Sequence, residues 1–290
     1  MRTVISLSAV AAASLLSALP LTAQTVDLVS TFNYPGTVYT FNSTGQINDN
    51  GDYVGTVLGG DATLSGFKGN ISGSFSQPFI VPDNHNVTIP YGINNADLVC
   101  GFYSAPSGFS GFFVRGTRYK FFMPGHSVGT TAESVNDAGN FVGQVINPHG
   151  LASAYAVIDR HRIRIIEQSG ARASGINNLN EIVGSYDDGD KNYGFFRAAD
   201  GTLTLLIDFP GAVYTMPKAI NDSDYIVGVW IDGNVDSHGF VIKLPDTFIS
   251  YDVPGAEETV LTGVNNSGQI IGSYQDAQGV YHGLVAQLTE

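Results

Sequence analysis

Short apolar runs alternate with polar turns along most of the chain, and the fifth repeat shows the pattern clearly. Apolar and β-branched residues dominate Thr215 to Ile220, Tyr225 to Trp230, His238 to Lys243 and Phe248 to Val253. Each run has the length and residue types of a β-strand, and turn-forming residues separate it from the next run. No stretch beyond the N-terminal segment has a sustained helical period. The pattern therefore predicts an all-β protein built from groups of four short antiparallel strands.

A recurring motif marks the first turn of each group. It consists of Ile or Val, then Asn, and a Gly seven residues after that Asn. Its asparagines, spaced by 46, 42, 41, 44 and 44 residues, are Asn48, Asn94, Asn136, Asn177, Asn221 and Asn265. A strand-rich repeat of this period is typical of propellers and stacked arrays. We expect the Asn side chain to accept a backbone hydrogen bond in an Asx turn. The residue three positions later is Gly, Asn or Asp in every copy, so we expect a positive φ there.

The two ends of the chain are offset from the repeat. The segment before the first motif, Val26 to Tyr34, has the features of a fourth strand, whereas the chain stops after a third strand at Gly283 to Leu288. This offset is expected if the N-terminal strand completes the last sheet, because that pairing removes an exposed edge. We therefore predict a six-bladed β-propeller of four-stranded antiparallel blades, closed by the N-terminal strand, as a single domain over residues 24–290.

The first 23 residues predict export. Arg2 precedes an almost wholly apolar stretch, and Leu21-Thr22-Ala23 resembles a signal-peptidase site. The apolar run ends at Pro20, which disfavours a membrane span. We expect a secreted monomer, located in the extracellular space or the periplasm. The formal net charge of −13 argues against nucleic acid as a partner.

Three short sequence elements recur in the same order in the later repeats. They are the Ile-Asn motif, a His-Gly-Phe triplet beginning at His238, and a Pro-Gly-Ala segment beginning at Pro254. Together they resemble the HAF repeats of bacterial extracellular proteins, over residues 26 to 290. Repeats two and three depart most from the pattern: Ser110 and Ser153 stand in place of the His, and repeat three has no Pro-Gly. The resemblance implies a secreted propeller-like repeat protein; it implies no particular reaction, and we assign no catalytic residue.

Residues shared by all copies stabilise the repeat, so we expect ligand-binding residues where the copies differ. The loop after the second strand and the Pro-Gly crossover share one face of the predicted propeller, and that face is the variable one. There, Asp232, Asn234 and Asp236 match the first three ligand positions of a calcium loop. Ser237 and Lys243 occupy positions where such a loop has Gly and Glu. A Ca²⁺ site and a loop of solvated acids are therefore two alternative interpretations.

Aromatic residues two positions after the motif Gly are candidates for stacking on a sugar. The candidate ligand-binding residues are Trp230, Tyr186 and Tyr274; the alternative is that they pack between blades, as valine does in two other copies. Basic residues are concentrated in repeats two and three, either as edge charges that prevent strand pairing or as a site for an anionic partner. The residues of this basic group are Arg115, Arg118, Lys120, Arg160, Arg162 and Arg164.

Three functions are compatible with these observations. We expect a non-enzymatic β-propeller binding module that recognises a glycan or a protein through its variable loop face. The alternatives are a polysaccharide hydrolase or lyase with its site at the channel mouth, and a structural surface or matrix component. The six His residues have no metal-ligand spacing, and the sequence contains no Gly-x-Ser-x-Gly nucleophile motif. Both observations favour the binding module.

Overall fold

The fold is that of a computed structural model, which describes residues 24–35, 40–41, 45–82, 86–105, 108–167, 170–245 and 247–289. The signal peptide predicted over residues 1–23 lies outside the described residues. The described part of the chain is all-β, as predicted. Its strands are β1 (Thr25–Phe32), β2 (Thr40–Phe41), β3 (Asp52–Leu58), β4 (Leu64–Asn70), β5 (Thr88–Ile93), β6 (Val99–Ala105), β7 (Gly108–Arg115), β8 (Arg118–Phe122), β9 (Gly129–Val135), β10 (Phe141–Ile146), β11 (Ala152–Ile158), β12 (His161–Glu167), β13 (Arg172–Ile176), β14 (Ile182–Asp187), β15 (Asn192–Arg197), β16 (Leu203–Ile207), β17 (Tyr214–Ile220), β18 (Tyr225–Ile231), β19 (Ser237–Lys243), β20 (Thr247–Tyr251), β21 (Glu258–Val264), β22 (Gln269–Gln275) and β23 (Tyr281–Thr289). Over these residues, no helix has the length and apolar character needed to cross a membrane.

The strands form six antiparallel units in chain order. Unit 1 is β2–β4, unit 2 is β5–β8, unit 3 is β9–β12, unit 4 is β13–β16, unit 5 is β17–β20, and unit 6 is β21–β23 together with β1. Units 2 and 3 share an eight-stranded sheet through a parallel pair between Phe109 and Gly129. Units 4 and 5 are joined in the same way between Asn192 and Tyr214. The strand bounds in unit 5 agree with the predicted ones to within two residues.

The first and last strands pair with each other, as predicted from the offset of the chain ends. β1 lies antiparallel to β23, with Thr25 opposite Thr289 and Phe32 opposite Gly283. The ladder contains a bulge between Leu28 and Ser30. This pairing gives unit 6 four strands, one of them from the other end of the chain.

Unit 1 departs from the four-strand pattern. Its regular sheet has three strands, and residues beyond β4 pair only through bridges between Gly69 and Phe75 and between Gly66 and Phe79. Pro78 lies between the two bridged positions and has no N–H to donate to a ladder. The predicted fourth strand of this unit is therefore an irregular segment.

Apolar side chains fill every interface between consecutive units, including the seam between unit 6 and unit 1. At that seam, Ile271 and Val285 of unit 6 belong to one buried cluster with Tyr53 and Phe67 of unit 1. Tyr34, which follows β1, joins the same cluster and packs its ring 4.8 Å from Phe67. Comparable clusters at the other interfaces contain Val54 with Val99, Cys100 with Ala132, Val142 with Ile182, Val183 with Ile226, and Val227 with Ile270. The hydrophobic core is thus distributed between the units.

The motif Gly is required by the close approach of the first strand of its unit. A Cβ atom on Gly228 would lie 2.3 Å from the carbonyl oxygen of Met216 and 2.6 Å from the Phe240 ring. Neither neighbour can move away easily, because the Met216 oxygen belongs to the backbone and the Phe240 ring is fully buried. We expect Gly228→Ala to lower the free energy of unfolding by about 3 kcal/mol, measured by urea denaturation.

The matched control for this substitution is Gly233→Ala in the loop that follows the same strand. A Cβ atom at Gly233 meets no atom within 4 Å. Its backbone is outside the positive-φ region, so alanine fits there. We expect the control to unfold within about 0.5 kcal/mol of the wild type. Equal stability of the two variants would contradict the packing argument.

Candidate functional site

The motif asparagines form a closed hydrogen-bonded ring at one end of the molecule. Each side-chain amide donates from Nδ2 to the backbone carbonyl of the next motif Asn, over 2.9 to 3.1 Å. The sixth bond runs from Asn265 to Asn48 and joins unit 6 to unit 1. The predicted Asx turn, in which the Asn Oδ1 accepts from the backbone N–H two residues on, is present in five copies. Asn136 Oδ1 instead accepts from the N–H four residues on, a bond that the other five copies also make.

A second ring surrounds the first and uses the residue that follows each motif Asn. The backbone N–H of each of these residues donates to the Oδ1 of its counterpart in the next unit, over 2.8 to 3.0 Å. These residues alternate between acid and amide: Asp49, Asn95, Asp137, Asn178, Asp222 and Asn266. The hydrogen bonds of this face are directed between units, so the face is structural.

The three predicted sugar-stacking residues lie on second strands, and each packs against an aromatic or histidine ring on the neighbouring strand. Trp230 packs against His238 at 4.5 Å, and its Nε1 donates to Ser250. Tyr274 stacks in the same way on His282 at 5.0 Å. Tyr186 is 5% exposed and belongs to the core between units 3 and 4, and burial raises the pKa of its hydroxyl. The three rings pack in three different core clusters, and the burial of Tyr186 leaves little of its ring for a ligand.

The predicted calcium loop is folded around one of its own carboxylates. Asp232 Oδ1 accepts from the backbone N–H of Asn234 and of Asp236, at 2.8 and 3.0 Å. These bonds, led by that of Asp236, lower the Asp232 pKa. Asn147 makes the same turn without a charge, through the N–H groups of His149 and Leu151. The turn therefore needs no metal, and among the described residues no group of three or more His, Cys, Asp or Glu could hold one.

Val235 is held in a strained backbone conformation within this loop. Its φ is +73°, whereas the equivalent positions of units 3 and 6 carry Gly150 and Gly279 with φ of +81° and +77°. A β-branched residue is disfavoured in this region, and local strain of this kind concentrates at functional sites. The Val235 side chain is nevertheless 75% exposed. This residue could have been found from the sequence, because Val235 stands where repeats three and six have glycine.

Val235 lines a pocket of about 500 Å³ between units 5 and 6 on the variable face. The β18–β19 loop brings Asp236 to it, and β19 brings His238. The crossover supplies Ala256 and Glu257, β21 supplies Glu258, and β22 supplies Gln275. His238 is fixed by its stack on Trp230 and by a 2.8 Å contact from Nδ1 to Asp252. Glu258 is fixed by Tyr281, whose hydroxyl donates to it over 2.9 Å. The pocket thus combines oriented polar groups with one exposed apolar side chain, as small-ligand sites do.

A second cleft lies between units 2 and 3 and collects most of the basic group. On one side it opens as a cavity of about 530 Å³ lined by Arg115, Arg118 and Lys120. On the other side, Arg162 and Arg164 line a cavity of about 470 Å³. Aromatic rings separate the two cavities, and their contacts are Phe122 with Tyr155 at 5.6 Å and Phe122 with Phe141 at 5.1 Å.

No family model matches the sequence, and no curated protein matches it. Solved structures do resemble the fold. The β-propeller domain of the Trilobed protease from Pyrococcus furiosus, with an open velcro topology, superposes with a TM-score of 0.55 and 6% identity, over 87% of this chain and 98% of that chain. A mutant of the Aleuria aurantia lectin in complex with Fucα1-6GlcNAc gives a TM-score of 0.51 at 7% identity, over 88% and 96%.

A further structure of the Aleuria aurantia lectin is described as a six-bladed β-propeller with a novel fucose recognition mode. It superposes with a TM-score of 0.50 and 7% identity, over 88% of this chain and 96% of that chain. At such identities the likeness shows the fold alone. The chain therefore has a β-propeller fold.

Proposed function

We propose that this chain is a glycan-binding module, a six-bladed β-propeller whose blades are the six units and whose last blade is completed by β1. The ring of motif Asn side chains and the buried cluster at the seam between units 6 and 1 support the closed arrangement. Secretion through the segment 1–23 and membership of the HAF repeat family are parts of the same proposal. Chemical sequencing of the exported protein should then begin at Gln24.

The pocket between units 5 and 6 carries the proposal. Carboxylates and an imidazole can accept or donate hydrogen bonds to sugar hydroxyls, and the Val235 methyl groups can pack on the apolar face of a sugar ring. His238 and Glu258 are held in position by Asp252 and Tyr281, so little ordering is needed when a ligand binds. Lectins with the same fold bind fucose or a fucose-containing saccharide, which favours a glycan over a protein as the ligand.

Val235→Gly tests this assignment. Glycine relieves the positive-φ strain, so the variant should be more stable by about 1 kcal/mol. It also removes the apolar contact, so affinity for the glycan found on an array should fall about tenfold in calorimetry. The opposite directions of the two effects distinguish a binding role from a structural one.

The control is Ala62→Gly in the corresponding loop of unit 1. Ala62 has a φ of +64° and is exposed, and it is absent from the pocket lining. We expect the control to gain stability without any change in glycan affinity. Unchanged affinity in Val235→Gly would remove this pocket from the proposal. Release of reducing ends from a polysaccharide by the wild type would instead support the hydrolase or lyase alternative.

The basic cleft between units 2 and 3 is a second candidate, for an anionic glycan. Its cations are concentrated on both sides of one interface of an acidic protein, and aromatic rings lie between them. Binding there would weaken steeply with salt, because it depends on charge. Salt-insensitive binding on the array would favour the pocket between units 5 and 6.

A further inference from the structure

The first strand of five units contains a β-bulge at the same place, the third residue before the motif Asn. The register of each strand against its neighbour shifts there by one residue. A bulged residue is left unpaired, and bulges often re-aim a side chain. Here the repeats differ most in chemistry, since the bulged residues are Tyr91, Glu133, Ser174, Lys218 and Thr262. All five line one cavity of about 40 Å³ together with Gln46 and Arg172.

This cavity holds two cations and one carboxylate. Glu133 Oε1 accepts from Arg172 Nη2 over 2.6 Å and from Thr131 Oγ1 over 2.6 Å. The Glu133 side chain is 6% exposed, so solvent has little access to the carboxylate of this ion pair. Because Arg172 already neutralises Glu133, no carboxylate in the cavity lining is left to balance Lys218.

Two donors at the cavity have no partner within the described part of the chain. The side chain of Lys218, a residue of intermediate exposure, makes no hydrogen bond or ion pair there, although the Lys218 backbone carbonyl accepts from Gln46 Nε2. Arg172 Nε is buried without an acceptor. An unpaired charge away from bulk water is strongly disfavoured, and buried polar groups nearly always find a partner. The equivalent position in unit 6 carries the uncharged Thr262, so the repeat itself does not require a charged residue there. The arrangement is thus unfavourable for a protein that binds nothing here.

We propose that the cavity binds one small monovalent anion, of the size of a halide, between Lys218 and Arg172. The anion supplies the charge that Glu133 cannot, and it accepts from both unpartnered donors. The hydroxyls of Ser174 and Thr262, which line the same cavity, already donate to the carbonyls of Pro217 and Ile271. Their oxygens can still accept from a water of the anion's hydration shell. The cavity of 40 Å³ has room for about three water molecules. A sugar acid is therefore too large to bind in it.

The pH dependence of binding follows from Lys218. Burial, followed by the charge of Arg172, lowers the Lys218 pKa to about 8. The anion needs the ammonium form, so its affinity is highest well below pH 8 and falls by up to tenfold per pH unit above it. The titratable and charged groups that face Lys218 are Tyr91, Glu133 and Arg172. Burial raises the pKa of Tyr91, and the Glu133 charge raises that of Arg172, so neither changes its charge near pH 8.

Stability without a bound anion should show the opposite trend. The folded-state pKa of Lys218 is below its ordinary value of 10.5, so the unfolded chain binds more protons between pH 8 and 10.5. Stability contributed by this group therefore rises with pH across that window. A bound halide offsets the penalty at lower pH and flattens the rise.

Thermal unfolding of the mature chain in sodium bromide, chloride and gluconate at equal ionic strength and pH 6.5 tests the site. Gluconate is too large for the cavity. We expect halide at ten times its Kd to raise the folding equilibrium constant about tenfold over gluconate, with saturation. Lys218→Met should abolish this response. Lys191→Met is the matched control, because Lys191 pairs with Asp208 at 2.7 Å on the outside, and it should keep the response.

An equal effect of gluconate, or a halide response that persists in Lys218→Met, would overturn the proposal. A second measurement does not depend on the variant folding. Crystals of the wild type soaked in bromide should show an anomalous peak beside Lys218, and soaking to saturation without such a peak would equally overturn it. Neither result depends on whether the protein binds a glycan.

Discussion

Deletion of residues 24–34 from a chain that begins at Gln24 should lower the melting temperature by at least about 10 °C or leave the protein insoluble. β1 pairs with β23 along its whole length, and its loss exposes that strand edge to other molecules. The deletion also removes Phe32 and Tyr34, whose rings lie 5.1 Å from Tyr53 and 4.8 Å from Phe67 across the seam. Loss of one buried aromatic ring costs about 3–5 kcal/mol, and each kcal/mol lowers Tm by about 2–4 °C in a domain of this size.

Point variants separate pairing from packing within this segment. Tyr34→Ala removes the buried ring and keeps the ladder, so it should give a large part of the shift. Val29→Lys is the control, because Val29 is 63% exposed and falls at the bulge of the β1 ladder. It should melt within about 2 °C of the wild type. Calorimetry and size-exclusion chromatography measure both effects. A deletion variant that stays soluble and melts like the wild type would contradict closure by β1.

The repeat in the sequence predicted local structure well because local structure depends on residues close in the chain. The turn is one example: Asn221 accepts bonds from residues two and four positions later, and Asp224 has the expected positive φ of 59°. The pairing of β1 with β23 was predictable for a different reason. The last repeat supplies only three strands, and β1 is the fourth strand that its sheet lacks. Unit 1 was harder, because a single residue, Pro78, interrupts its fourth strand.

Interactions between units were not predictable from the motif. The sequence shows that Asn221 and Asn265 are equivalent, but it contains no distance between them. Only the structure shows that Asn221 Nδ2 reaches the Asn265 carbonyl at 3.0 Å. The same limit applies to the cavity lined by the bulged residues, where Lys218 and Glu133 come from units far apart in the chain. Their positions are bulged and differ in every copy, so a search for shared residues passes over them.

The candidate ligand-binding residues were also only partly predictable from the repeat. The repeat predicted Trp230, Tyr186 and Tyr274 as sugar-stacking residues. In the structure, Trp230 and Tyr274 each stack on a histidine of the neighbouring strand. The more informative signal was the exception at Val235, because a residue unsuited to its backbone conformation needs a reason to be there. The ligand-binding roles of Trp230 and Tyr274, and calcium binding by the loop of Asp232, stay predictions for titration and mutagenesis.

Replacement of Asn265 by Ala should destabilise the protein by about 3–5 kcal/mol, measured by urea denaturation. Asn265 is 3% exposed, and its side chain serves three backbone groups: the N–H of Ser267, the N–H of Gln269 and the carbonyl of Asn48. Alanine leaves all three without that partner, at about 1–3 kcal/mol for each that stays buried. Ser267→Ala is the control, since it changes an exposed side chain in the same turn and keeps the backbone bonds.

Comparison with Asn221→Ala tests whether the ring is closed in solution. Asn221 makes the same three kinds of bond, but its neighbour Asn265 is connected to it through the chain, whereas Asn265 reaches Asn48 across the seam. If the ring is closed, the two alanine variants should lose stability to within about 1 kcal/mol of each other. If the seam opens in solution, the Asn48 carbonyl is already hydrated in the wild type, and Asn265→Ala should cost distinctly less. A smaller loss at Asn265 would therefore argue for an open array of units.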